Sequence, residues 1–196
     1  VYGYTNEQEE EKILTVIDQL TAAIGRKRQA ECPAIQEQII QDQHAPEIPV
    51  QSVTLAQRRT LMQRANDALL NYDPVIKKAI VNLADEDQTV IIASSDGRLV
   101  RDNRQRTRLR MQAVAMDGDR MQNSAKAPGA HAGYEFYDQI DVEAMARDAA
   151  RTAKVMLNAD ECPSGEMTVV IDNGFGGVIF HEACGHSLEA TSVAYG

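Results

Sequence analysis

The chain contains no tryptophan, and aromatic residues make up only 5% of its 196 positions. No stacking platform of the kind that holds single-stranded nucleic acid is therefore evident. Cysteine is scarce: Cys32, Cys162 and Cys184 are too few, and odd in number, for a disulfide framework. That usage fits a reducing cytoplasm. Glycine and proline, at 12 and 6 residues, are too rare for a collagen-like or linker-like chain. No apolar run approaches the roughly 18 residues that a membrane helix needs, so no bilayer-spanning role is expected. Positive charge is in the minority, with 20 Lys and Arg against 29 Asp and Glu and a net charge of −9. A compact acidic domain repels nucleic acid on average and has no general attraction to anionic lipid. The opening VYGYTNEQEE has neither the basic nor the apolar stretch of a secretory signal, and does not look like a natural beginning.

What is present is an ordinary folded composition, 43% hydrophobic and 25% charged. Thr5, with Gln8 three residues on, reads as a capping box before an amphipathic helix. Ile13, Leu14, Ile17, Leu20 and Ile24 would form its buried face, with an end near Gly25. Pro33, Pro46 and Pro49 break up the next stretch, in which Ala34 to Gln41 could be a short helix. A second helix is expected from Thr54 to Leu70, stopped at Asp73-Pro74, with Leu55, Met62, Ala65 and Leu69 inside. The pattern then turns to strands at 75–83, 89–93, 99–101, 107–116 and 120–124. Asp85-Glu86-Asp87, Ser95-Asp96-Gly97 and Asp117-Gly118 separate most of them, which predicts an antiparallel meander. A Gly-rich joint from Pro128 to Gly133 leads to a long helix from Asp141 to Asn158, with Met145, Ala149, Thr152 and Met156 in a stripe. Met167 to Ile171 reads as a buried strand, and Asp172 to Gly177 as the turn into a last helix, VIFHEACGHSLEA. The expected fold class is α+β, an antiparallel sheet with packed helices and a metal-motif helix at the C-terminal end.

His181-Glu182-Ala183-Cys184-Gly185-His186 carries the chemistry. Two imidazoles and a carboxylate are the parts of a hydrolytic zinc site. The familiar spacing puts the histidines four apart on a helix, but here they are five apart. Five residues of a regular helix leave two side chains about 140° apart, too far round to hold one ion. If both bind, the helix must widen into a π-type turn or break at Gly185, and glycine makes either distortion cheap.

The surrounding GGVIFHEACGHSLEATSVA resembles the TldD/PmbA family of metalloproteases, once called modulators of DNA gyrase. Ser95-Asp96-Gly97, Asp102, the alternating strand after it and Gly133-Tyr134-Glu135-Phe136 extend the likeness over most of 73–196, and more loosely to the helices before. The resemblance implies a zinc-dependent peptidase that acts on unfolded or extended peptides. His181 and His186 match the zinc ligands and Glu182 the catalytic base. A third ligand, a cysteine, belongs to a second domain downstream, whereas this chain ends at Gly196. On that reading residues 1–196 are an incomplete N-terminal domain, inactive alone. Residues 1–72 are helical, 73–127 form an antiparallel sheet and 128–196 form helix, strand and metal-site helix. The family also implies a homodimer, or a heterodimer with a motif-less paralogue. The alternative is a peptide-binding or scaffold subunit without turnover. A deaminase needs His-x-Glu and Pro-Cys-x-x-Cys, and neither spacing occurs.

Neighbouring residues divide between roles. Glu189, three after His186, could orient an imidazole from the second ligand shell of the metal or could be an ordinary solvated carboxylate. Cys184 reads as a packing thiol, Asp172 as turn chemistry, and His44 and His131 as loop residues. Arg104, Arg106, Arg108 and Arg110 alternate with Thr107 and Leu109, which predicts one solvated, charge-guarded sheet face. A positive wall guiding an extended peptide is the other use for them. Gly174-x-Gly176-Gly177 lacks the Lys-Ser/Thr of a phosphate loop.

Overall fold

Asp-Gly turns and long alternating runs dominate the middle of the chain, and there they build one long ribbon. The computed structural model describes residues 1–25, 33–173 and 176–195. Cys32, and Gly174 and Phe175 of the expected helix entry, lie outside the described residues. The chain divides into two units, Val1–Asn158 and Ala159–Gly196.

In the first unit, strand β2 (Ile76–Ala93) and strand β3 (Arg98–Asp117) pair antiparallel along almost their whole length. Eighteen residues of strand span about 60 Å. β3 is the centre of a five-stranded sheet. β2 runs along one side of it. On the other side lie, in turn, β1 (Gln36–Gln38), which is parallel to β3, β5 (Gly129–Ala130) and β4 (Arg120–Lys126). The fold class is thus α+β with a mixed sheet.

The expected break at Asp85-Glu86-Asp87 does not occur; β2 runs straight through it. Each acid there has a partner, which removes the reason to turn. Arg58 and the Thr107 hydroxyl hold Asp85, Arg106 lies 3.4 Å from Glu86, and Gln51 and Gln105 donate to Asp87. The turns at Gly97 and Gly118 do form, both glycines having positive φ, 88° and 57°.

Alternation along β3 sorts its side chains. Gln105, Thr107, Leu109, Met111, Ala113 and Ala115 are buried, while Arg106, Arg108 and Arg110 face solvent. Helices α2 (Leu55–Leu70) and α3 (Val142–Leu157) cover the buried face. α2 begins at a capping box, a motif that the sequence reading places only at Thr5, with the Thr54 hydroxyl accepting from Gln57 N at 3.3 Å and the Gln57 amide oxygen accepting from Thr54 N at 2.9 Å. It buries Leu61, Ala65 and Leu69, leaving Leu55 exposed. In α3, Asp141 caps the first turn by accepting from Ala144 N at 2.8 Å. The buried stripe of α3 is Val142, Ala146, Ala149, Ala150, Ala153 and Leu157. Ala149 lies on that stripe as expected, Met145 packs only at its edge, and Met156 is exposed. Small alanines let the helix backbone approach the sheet closely, so the bulky methionines fall to the rim. Arg64 forks across to Glu143 at 2.6 and 2.9 Å and ties α2 to α3.

Three further expectations change. Helix α1 spans Glu10–Ile24, starting later than the Thr5 capping box, and of its apolar stripe Ile13, Leu14, Ile17 and Ile24 are exposed rather than buried, with Leu20 half-buried. The chain at Gly3 lies against Leu20 of this helix. Ala34 to Gln41 holds the short strand β1, not a helix, because its backbone joins the free edge of β3 at Arg98 to Val100. In the second unit, 167–171 is not a strand: no described strand pairs with it, and Met167, Val169, Val170 and Ile171 are all exposed.

Candidate metal centre

The second unit builds its site from backbone shape. Helix α4 (Gly176–Phe180) is followed directly by one turn of π-helix over His181–Gly185, then a 3-10 turn at His186–Leu188. The π turn closes with His186 N–H donating to the His181 carbonyl. It is the local widening that the five-residue spacing requires. Glu189 breaks the helix with extended backbone, φ −62° and ψ 143°, before helix α5 (Ala190–Tyr195) resumes. Of the two distortions left open by the sequence, the turn widens first, and the break falls at Glu189 instead of Gly185.

The wider turn brings the rings of His181 and His186 edge to face, with centroids 4.5 Å apart and planes at 73°. His186 Nε2 lies 3.7 Å from Glu182 Oε2. One ligand atom from each of His181, Glu182 and His186 falls within 4.8 Å of the others. Gly185 makes room for this: a Cβ at that position would sit 3.3 Å from His181 Nδ1, tighter than an ordinary contact. Glu189 Oε1 is 2.6 Å from His186 Nδ1. A carboxylate that accepts from Nδ1–H favours the tautomer in which Nε2, the nitrogen facing Glu182, keeps its lone pair free to bind an ion.

Three of these side chains are more than half exposed, at 55% for His186, 63% for Glu182 and 53% for Glu189, and His181 is exposed too. A shallow groove of about 580 Å³, lined by Gly176, Val178, Ile179, Glu182 and Ala183, adjoins the carboxylate. The donor set suits a borderline ion such as zinc: two imidazoles and a carboxylate on one side, with the opposite side open. Cys184 is exposed and unpaired, not a packing thiol. Asp172 accepts from Asn173 N at 2.8 Å. His44 and His131, from two loops of the first unit, stack on each other with centroids 4.7 Å apart.

Sequence reading missed a second group of buried polar residues, in the first unit. Glu135 accepts from Ile48 N and Gly133 N, each at 2.8 Å, and so pins two loops. Burial pushes its pKa up, but these backbone donors outweigh it and hold the carboxyl below the ordinary range. Thr107 Oγ1 lies 2.5 Å from Asp85 and 2.7 Å from the Tyr137 hydroxyl, whose pKa burial pushes up to about 12. A buried threonine in an arginine-rich strand was the available signal for this network.

Comparison with known proteins gives a consistent picture. Residues 48–157 match the family model of the PmbA/TldA metallopeptidase central domain. A metalloprotease of Methanothermobacter thermautotrophicus is 32% identical over 148 residues, covering 76% of this chain and 32% of that protein. A metalloprotease TldD homolog of Haemophilus influenzae is 29% identical over 146 residues, covering 72% of this chain and 30% of its own length. The chain spans about a third of the length of the curated relatives it matches. A Thermotoga maritima crystal structure, named as a candidate modulator of a DNA gyrase, superposes with a TM-score of 0.60 at 14% identity. That overlap covers 82% of this chain and 36% of the other, and it concerns the fold alone.

Proposed function

The chain belongs to the PmbA/TldD metallopeptidase family, and on that premise we propose that His181 and His186 are two ligands of a catalytic zinc and Glu182 its general base. The observation that carries this reading is the π turn, which lets imidazoles five residues apart converge beside a carboxylate. Zinc, when bound, lowers the pKa of a water towards neutrality and polarises a carbonyl. Glu182 Oε2, beside His186, is the atom that takes the water's proton and returns it to the departing amine. Glu189 holds His186 so that Nε2 faces inward. The apolar groove along Val178 and Ile179 would receive an extended or unfolded peptide segment.

Two imidazoles and one base are short of the three protein ligands usual at catalytic zinc. The reading therefore takes residues 1–196 as an N-terminal part of a longer protease, inactive alone, with a cysteine ligand in the remaining length. It further takes the active protein as a homodimer or a heterodimer with a motif-less paralogue. The free thiols of Cys162 and Cys184 fit a reducing cytoplasm.

The test uses the full-length protein. Glu182→Gln should retain about one zinc per catalytic subunit but lose peptide cleavage by about 10²–10⁴-fold. Cleavage that survives the change removes Glu182 as the base. The high exposure of the site favours one other reading, a peptide-binding subunit without turnover. Binding without cleavage by the zinc-loaded wild type would select it.

A further inference from the structure

β3 is the central strand of its sheet, paired with β2 on one side and with β1, β5 and β4 on the other. Its arginines therefore guard no edge. Arg104, Arg106, Arg108 and Arg110 stand at every second position, about 6.8 Å apart, on the face away from the buried residues. Like charges so close along one strand repel one another, and the sheet does little to offset them. Opposite them on β2 come Gln88, Glu86, Ala84 and Asn82, one acid for four bases. Asp102 pairs with Arg104 at 2.6 Å, and Glu86 with Arg106 only at 3.4 Å. Among the described residues, Arg108 and Arg110 meet no carboxylate within 4.0 Å.

Arg108 also has the smallest neighbours. Ala84 faces it from β2 and Gly129 from β5. A Cβ on Gly129 would stand 3.1 Å from both Cβ and Cγ of Arg108, so glycine leaves room along that stem. The outcome is a trough of about 540 Å³ with Arg106 and Arg108 in its walls. A second cavity, of about 700 Å³, shares Arg106 and His131 with the trough and reaches apolar Val100 and Ile92.

Guanidinium groups without acid partners, set beside open space, are complementary to carboxylates. Their period narrows the ligand. An extended peptide puts alternate side chains on one face at the same spacing of about 6.8 Å. Acids at i, i+2 and i+4 then meet Arg106, Arg108 and Arg110 in register, whereas consecutive acids point to opposite faces.

We propose that this face of β3 binds extended peptide segments carrying an acidic residue at every second position, anchored at Arg108. The trough lies wholly in the first unit, so binding stands apart from the metal-site reading; only the use of such a segment as a substrate rests on it.

Fluorescence anisotropy on the full-length protein tests this, in a Glu182→Gln background that prevents turnover. A labelled Glu-Thr-Glu-Thr-Glu peptide should bind, and bind less as salt rises. Glu-Glu-Glu-Thr-Thr, of equal charge, should bind about fivefold more weakly, the worth of one exposed ion pair. Arg108→Gln should weaken the alternating peptide by about the same fivefold. Ala84→Glu sets a carboxylate opposite Arg108 from within the sheet. It should weaken binding about tenfold and yet raise the midpoint of thermal unfolding, which misfolding cannot mimic. Failure of the alternating peptide to bind overturns the proposal, and so does binding that survives Ala84→Glu unchanged. Equal affinity for the two peptides, or displacement by equimolar tripolyphosphate, would overturn it too and make the face a general polyanion surface.

Discussion

Residues 1–158 and 159–195 are stabilised in opposite ways. The first unit buries Leu69, Leu109, Met111 and the alanines of α3 completely, and locks its helices together with ion pairs such as Arg64–Glu143. In the second unit no described side chain is buried, and Val178, Ile179, Phe180 and Leu188 all face outward. Its site is nonetheless well shaped, by the π turn and by the room at Gly185. Metal-site geometry can therefore be written into a few consecutive residues, while stability needs contacts between residues far apart in the sequence.

Core truncation should break this comparison most sharply. Leu109→Ala in the first unit should cost about 2–5 kcal/mol in denaturant unfolding. Leu188→Ala in the second, 74% exposed, should cost less than about 0.5 kcal/mol. Equal costs would mean that the second unit has a core after all. Glu189→Ala should leave that unfolding curve unchanged yet weaken zinc binding to the full-length protein about 10–100-fold, measured by competition with a chelator. Unchanged affinity would reduce the 2.6 Å contact with His186 to a surface pair. A more modest effect belongs to Glu135→Gln, which removes one side-chain oxygen that accepts from a backbone N–H and should cost about 1 kcal/mol at neutral pH. The Glu135 pKa is depressed in the folded state, so its carboxylate stabilises the fold above the unfolded pKa and loses that effect as pH falls through the folded value. The gap between wild type and variant should accordingly close below the ordinary carboxylate range. A gap that persists in acid would show that shape, not charge, holds the two loops.

Much of this was legible in the residues themselves. The helices from Thr54 to Leu70 and from Asp141 to Asn158, the glycine turns at Gly97 and Gly118 and the alternating arginines are encoded within a few positions, and each forms close to where it is expected. So is the need for a wider turn between the histidines, which follows from helix geometry alone. What the sequence did not disclose depends on distant partners. Asp85-Glu86-Asp87 looked like a turn until Arg58, Arg106 and Gln105 supplied its counterparts. Gln36–Gln38 becomes a strand because β3 offers an edge, whereas 167–171, with similar strand character, pairs with no described strand. The apolar stripe of α1 is real in its spacing but buries none of its residues fully.

The single π turn has one more consequence. A turn that holds an extra residue advances the chain through nearly the same angle as an ordinary turn with one fewer. His186 therefore lies about as far round from His181 as a residue four on would in a regular helix, so the inserted position is absorbed within the turn. Histidines five apart on such a swelling and histidines four apart on a straight coil therefore offer an ion much the same pair of nitrogens. Motif length, taken as a count of letters, separates proteins that the chemistry does not.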